Sequence, residues 1–148
     1  MSLQQEVMTK LKEAMKAKDK VALESLRAIK SALLLAQTSG DNKELSEADE
    51  IKLVQKLVKQ RKDSAALYQK QNRADLADPE LAQVAVLAQF LPKQMSEDEL
   101  KVAISDIILK VGATSMKDMG KVMGMASKQL AGKTDGKAIS NVVKNLLG

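Results

Sequence analysis

The sequence contains no histidine, no cysteine and no tryptophan, and its aromatic content is one tyrosine and one phenylalanine. Each absence excludes a class of chemistry. Without cysteine there is no disulfide framework, no thiolate nucleophile and no cysteine-based zinc site. Without histidine there is no imidazole to act as base, acid or metal ligand near neutral pH. Two aromatics, Tyr68 and Phe90, cannot build a platform on which successive bases stack. Glycine (seven) and proline (two) are too few for a linker-rich or fibrous chain, and 45% hydrophobic residues are too many for a disordered one. The longest charge-free apolar stretch, residues 81–92, falls short of the roughly 20 residues that span a bilayer. The polar, acidic start of the chain is unlike a secretory leader. The expectation is a cytoplasmic protein with no membrane segment.

What remains is rich in Ala, Leu, Lys, Gln and Met, and nearly every segment repeats at helical spacing. The fold class expected is all-α: a four-helix N-terminal domain over residues 1–92 and a three-helix C-terminal domain over 96–148. The first helix opens on a Ser2–Gln5 capping box, and its stripe is Leu3, Val7, Met8, Leu11 and Met15. Asp19 caps a second helix with Leu23, Leu26, Ile29, Leu33 and Leu34 on one side, and Gly40 is positioned to close it. Ser46 opens a third, with Glu47, Asp49 and Glu50 opposing its dipole and a stripe of Ile51, Val54, Val58, Ala65 and Tyr68. Asp78 followed by Pro79 reads as the start of a fourth. From Leu81 to Leu91 that helix has nine apolar residues in eleven, the pattern of a hub covered on several sides.

Pro92 stops the hub, and residues 92–95 read as a linker that lets the two domains move. A Ser96–Glu99 capping box begins the fifth helix, which Gly112 closes. The sixth runs from about Ser115 to Ala131, and the seventh follows Asp135–Gly136.

Charge is the informative layer. Between Lys52 and Arg73 there are seven basic residues and one acid, Asp63, so this helix alone exceeds the +5 of the whole chain. Residues 107–148 carry seven lysines against Asp118 and Asp135. The plain reading is a pair of solvated amphipathic faces. The functional one is two cationic surfaces for a polyanion, with RNA held through phosphates and overall shape, not through its bases.

The densest local signal is Met116 to Ser127, where Gly120 and Gly124 stand four apart on one helix face. Each glycine costs about 1 kcal/mol against alanine inside a helix, so the pair requires a reason. Close packing of a neighbouring helix is one reason. A flat backbone surface where a ribose–phosphate chain approaches, flanked by Lys117, Lys121 and Lys128, is the other. The methionines at 116, 119, 123 and 125 fit either a core or an adaptable partner face. No catalytic constellation is found: Ser64 with Lys62, and Ser127 with Lys128, are too near in sequence to face each other on a helix. Acid pairs such as Asp49/Glu50 read as caps, and no phosphate-binding glycine loop is present. No catalytic residue, metal site or cofactor is assigned.

Five stretches in order resemble the GatB/YqeY family: Leu26-Arg27-Ala28-Ile29-Lys30-Ser31-Ala32-Leu33; Lys59-Gln60-Arg61-Lys62-Asp63-Ser64; Tyr68 to Glu80 with Arg73 and Asp75-Leu76; Phe90-Leu91-Pro92-Lys93-Gln94-Met95-Ser96; and Asp118-Met119-Gly120-Lys121-Val122-Met123, which leads into Gly132-Lys133 and Asp135-Gly136. Members are free-standing helical proteins similar to the tail of the B subunit of glutamine-dependent aminoacyl-tRNA amidotransferases. The resemblance implies the same two-domain architecture and an association with tRNA or a tRNA-modifying amidotransferase complex. Its family label is carbon–nitrogen ligase activity with glutamine as amide donor. The amidase and ATP-dependent parts of that enzyme have no counterpart here, so the tRNA contact is the property carried over and catalysis is not.

The expected contact residues are Lys117, Gly120, Lys121, Gly124, Lys128, Lys133 and Lys137, with Lys59, Arg61, Lys62 and Arg73 as a second surface. The alternative from another class is a protein–protein adaptor that uses the Met-rich sixth helix or a cleft between the domains.

Overall fold

The computed structural model describes residues 2–39 and 44–148. Among them it shows seven α-helices, one short 3-10 turn and no strand. The chain divides into two compact units, Met1–Leu91 and Pro92–Gly148.

The first unit holds α1 (Leu3–Ala17), α2 (Lys20–Thr38), α3 (Glu47–Lys70) and α4 (Ala74–Ala88). Local chemistry starts three of the four. The Ser2 hydroxyl accepts from the Gln5 N–H while the Gln5 side chain accepts from the Ser2 N–H. Asp19 accepts from the Ala22 N–H, and Ser46 and Asp49 form a reciprocal box. The core joins Leu3, Val7 and Leu11 of α1 to Leu26, Ile29 and Leu33 of α2, with Val54 and Val58 of α3 and Leu87 of α4. Met8, Met15 and Leu34, expected on the buried stripes, are exposed. In α1, Ala14 takes the inward position instead, because the arc that reaches the neighbours is narrower than the apolar stripe. Gly40, the expected close of α2, lies outside the described residues.

α4 departs most from expectation. It begins at Ala74, four residues before Asp78, so Pro79 lies inside the helix and not at its first position. Asn72 adopts a left-handed conformation (φ 58°) that turns the chain out of α3. The Arg73 carbonyl then accepts from the N–H groups of Leu76 and Ala77. This local closure starts the helix early, and Pro79 forgoes the bond to the Asp75 carbonyl that another residue would make there. Nor is α4 a hub covered all round: α2 and α3 pack one side, burying Ala77 and Leu87, while Leu81, Ala82 and Ala85 stay exposed.

The second unit holds α5 (Glu97–Val111), a 3-10 turn (Met116–Asp118), α6 (Met119–Gln129) and α7 (Gly136–Leu147). Ser96 caps α5 through the Glu99 N–H, but the Glu99 carboxylate takes the Ser96 hydroxyl and not its backbone N–H, so the box is one-sided. Gly112 closes α5 with φ 67°, and Asp135 caps α7. Leu100, Ile104 and Ile107 of α5 meet Val122 and Ala126 of α6, Leu130, and Ile139, Val142 and Val143 of α7 in one core. The Gln94 side chain donates to the Gly132 carbonyl (2.7 Å), and the Met95 N–H donates to that of Lys133 (2.9 Å). From Gln94 onward, therefore, the segment expected as a linker is tied down within the second unit.

Candidate nucleic-acid interface

α6 positions the glycine–lysine face. At about 100° per residue, Val122, Ala126 and Leu130 point to one side, and all three are buried. Gly120, Lys121, Gly124 and Lys128 fall on the opposite side within about 100° of arc, and all four are exposed. A methyl group placed on the α-carbon of Gly120 or Gly124 meets nothing within 4 Å. The glycines therefore pack against no neighbouring helix, and of the two readings the close-packed one is excluded. What they form is a strip of bare backbone open to solvent, edged by lysines.

Lys117, in the 3-10 turn, is exposed at the start of the strip. Lys133 and Lys137 are exposed in the α6–α7 loop and the first turn of α7. The start of the strip is pinned by Asp118, whose carboxylate accepts from the Thr114 N–H at 3.0 Å. That bond above all, with smaller help from Ser115 and the Lys121 charge, holds the Asp118 carboxyl below its ordinary 3.8. The methionines do not form an open face. Met119, Met123 and Met125 pack against the core of the second unit, and only Met116 among the four is exposed.

The four residues expected as a second surface are differently disposed. Arg61 is half-buried: its Nε donates to Gln83 Oε1 at 2.9 Å, and Nη1 donates to the Leu57 carbonyl. Gln83 in turn donates to Glu24 Oε2 at 3.0 Å, so the guanidinium helps join α3, α4 and α2. Arg73 makes two bonds to Asp75, at 3.0 and 2.9 Å, at the start of α4. Lys59 stands 3.9 Å from Asp63, one helical turn on. Among the described residues these two contacts with carboxylates, at Lys59 and Arg73, are the ion pairs. Lys62 is exposed. The lysines of the second unit are thus available, whereas Arg61 is engaged in joining helices and Arg73 in a local pair at the start of α4. No group of three or more acidic side chains that could hold a metal occurs among the described residues.

Three carboxylates have lowered proton affinity: Asp118, Asp49 through the Ser46 hydroxyl and backbone, and Asp75 through Arg73. A carboxyl with a folded pKa below its unfolded one stabilises the fold above the unfolded value, and that contribution is lost as pH falls through the folded value. Thermal melts are expected to be flat between about pH 5 and 8, where no imidazole titrates, and to move to lower temperature below about pH 4. Asp118→Asn removes part of that acid dependence. A Tm that falls between pH 7 and 6 contradicts this account.

The chain matches the family model described as Yqey-like protein over residues 4–147. It belongs to the YqeY-like family. Among curated relatives, this YqeY-like protein is 30% identical to altered inheritance of mitochondria protein 41, mitochondrial, of Lachancea thermotolerans, over 68% of this chain and 55% of that one. It is 29% identical to the Kluyveromyces lactis protein of the same name, over 90% and 70% of the two chains. It is also 30% identical to an uncharacterised protein of Schizosaccharomyces pombe, over 64% and 76%. The YqeY-like chain thus spans from about half to three quarters of the length of these relatives. No helix among the described residues is long and apolar enough to cross a membrane.

Proposed function

We propose that this protein binds tRNA, alone or within a tRNA-modifying amidotransferase complex, through the second unit and without an active site of its own. The observation that supports this is the exposed Gly120–Gly124 strip. It costs helix stability and serves no packing, yet it lies among Lys117, Lys121 and Lys128 on the side of α6 away from the core. Phosphates approach the bare backbone closely, and ammonium groups on either side neutralise them. Lys133 and Lys137 extend the contact, while Lys59 and Lys62 of α3 make a weaker one. The segment 96–148 plays the part of the amidotransferase-tail-like domain. The cytoplasm is the setting we favour; the mitochondrial names of the relatives fit the same role, since both compartments hold tRNA.

Titration of total tRNA at several salt concentrations tests the proposal. With about five phosphates neutralised, log K should fall against log salt with a slope of about −4. No binding at the lowest salt refutes it. Pull-down with and without RNase separates tRNA binding from the adaptor role, because a partner retained after RNase with no tRNA recovered favours the adaptor. Purified protein is expected to release no ammonia from glutamine.

Gly124 allows a sharper check, because its two roles have opposite signs. It lies mid-helix with open space around it, so Gly124→Ala should stabilise the second unit by about 1 kcal/mol. The same methyl group holds phosphates away from the backbone and should weaken tRNA binding. Gly120, in the first turn of α6, should gain less stability. A variant that is more stable and binds equally well shows that the strip is not a contact.

A further inference from the structure

α2 and α3 do not close against each other along their whole length. Between them runs an open groove of about 480 Å³ with an apolar floor that includes Leu35, Leu45, Leu53 and Leu57. Leu35 is 71% exposed. The lining positions on α3 run from Asp49 to Gln60, about three helical turns or roughly 16 Å. Lys52 and Lys56, one turn apart and both exposed, form the basic rim. The single acid on that rim, Asp49, has its carboxylate bound to the Ser46 hydroxyl (2.7 Å) and N–H (3.2 Å).

The chain also carries a face of the opposite kind. On α5, Val102 is 64% exposed and Leu109 is 79% exposed, although both lie on a helix whose other side fills a core. They are seven residues apart, hence on one face and about 10 Å from each other. Asp98 and Asp106 flank them on either side, both exposed, with Glu99 just beyond Asp106; Lys101 and Lys110 stand further round the helix. This is an amphipathic helical face with an acidic border, short enough to lie within three turns of α3.

We propose that the protein self-associates, with α5 of one copy seated in the α2–α3 groove of a second. Val102 and Leu109 cover the leucine floor, and Asp98 and Asp106 meet Lys52 and Lys56. Helix-in-groove recognition by apolar anchors two turns apart is the mode this geometry fits. The small area makes the contact a weak, reversible one. It is independent of the tRNA reading, since none of these residues belongs to the Lys117–Lys137 surface, and it is tested on RNA-free protein.

The experiment is sedimentation velocity on the full chain between about 1 and 500 µM. The wild type should show a weight-average sedimentation coefficient that rises with concentration. K52E/K56E places acid against acid, and D98K/D106K places base against base, so each alone should weaken association by about tenfold or more. Mixed in equal amounts, the two variants present matched charges at both grooves, and association should return. All the substituted residues are exposed, and circular dichroism checks that each variant is folded. A wild type that sediments as a monomer at every concentration overturns the proposal, as does a mixture that behaves like its separate components.

Discussion

Reversing Lys121 and Lys128 together, as Lys121→Glu/Lys128→Glu, should lower tRNA affinity by about a hundredfold at low salt. Two favourable phosphate contacts are lost and two repulsive charges appear on the same strip. The salt slope should drop by about two units, from about −4 to about −2, because two fewer counterions are released. The fold should tolerate both changes, as both side chains are exposed and neither forms an ion pair among the described residues. Their effects on α6 also oppose each other: a glutamate near its start suits the helix dipole, and one near its end does not. Circular dichroism and a thermal melt check that the loss is one of binding. Lys59→Glu/Lys62→Glu on α3 provides the comparison and should cost less, since Lys59 already stands near Asp63. Equal losses from the two pairs would mean that the protein binds by net charge alone. Unchanged affinity in the α6 pair would remove the assigned surface.

Which parts of this structure could be read in advance follows from how local the causes are. Caps are local: Ser2, Asp19, Ser46, Ser96 and Asp135 each settle a helix start through a bond to a residue three further on. Gly112 closes α5 for the equally local reason that it accepts a positive φ. The start of α4 is less local: it depends on the turn that Asn72 and Arg73 make at the end of α3, which overrides the strong signal of Asp78–Pro79. Apolar stripes reveal which way a helix faces but not how wide an arc its neighbours cover. Hence Met8, Met15 and Leu34 are exposed although they lie beside buried positions. The run Leu33-Leu34-Leu35 already held that information, since no single stripe buries three consecutive residues of a helix. Partner choice is the least local property. Nothing in the spacing of Arg61 announces Gln83 on the next helix, so its charge looks as available in the sequence as those of Lys121 and Lys128. The glycine pair lies between these cases: its spacing defines a face, and only the open space around it decides what that face is for.

If the lysine strip acts through its geometry, then loosening the core beneath it should disable it without touching a single charge. Ile104 is fully buried in the cluster that also holds Val122 and Ala126, the residues on the opposite side of α6 from Gly124. Ile104→Ala should destabilise the second unit by about 3 kcal/mol, the usual cost of removing a buried aliphatic side chain and leaving part of the cavity. For a unit of three short helices that is a large share of the total, and its Tm should fall by roughly 10–20 °C. Below the new transition, tRNA affinity should equal that of the wild type, because Ile104 is buried and cannot touch a ligand. Above it, the same lysines are present on a chain with no fixed face. Some attraction to any polyanion should persist there, with its salt dependence, while the preference for folded tRNA over single-stranded RNA disappears. Binding and helix circular dichroism followed across the same temperature range, against both RNAs, separate these contributions. A preference that survives the melting of α6 would mean that the strip supplies charge and no geometry.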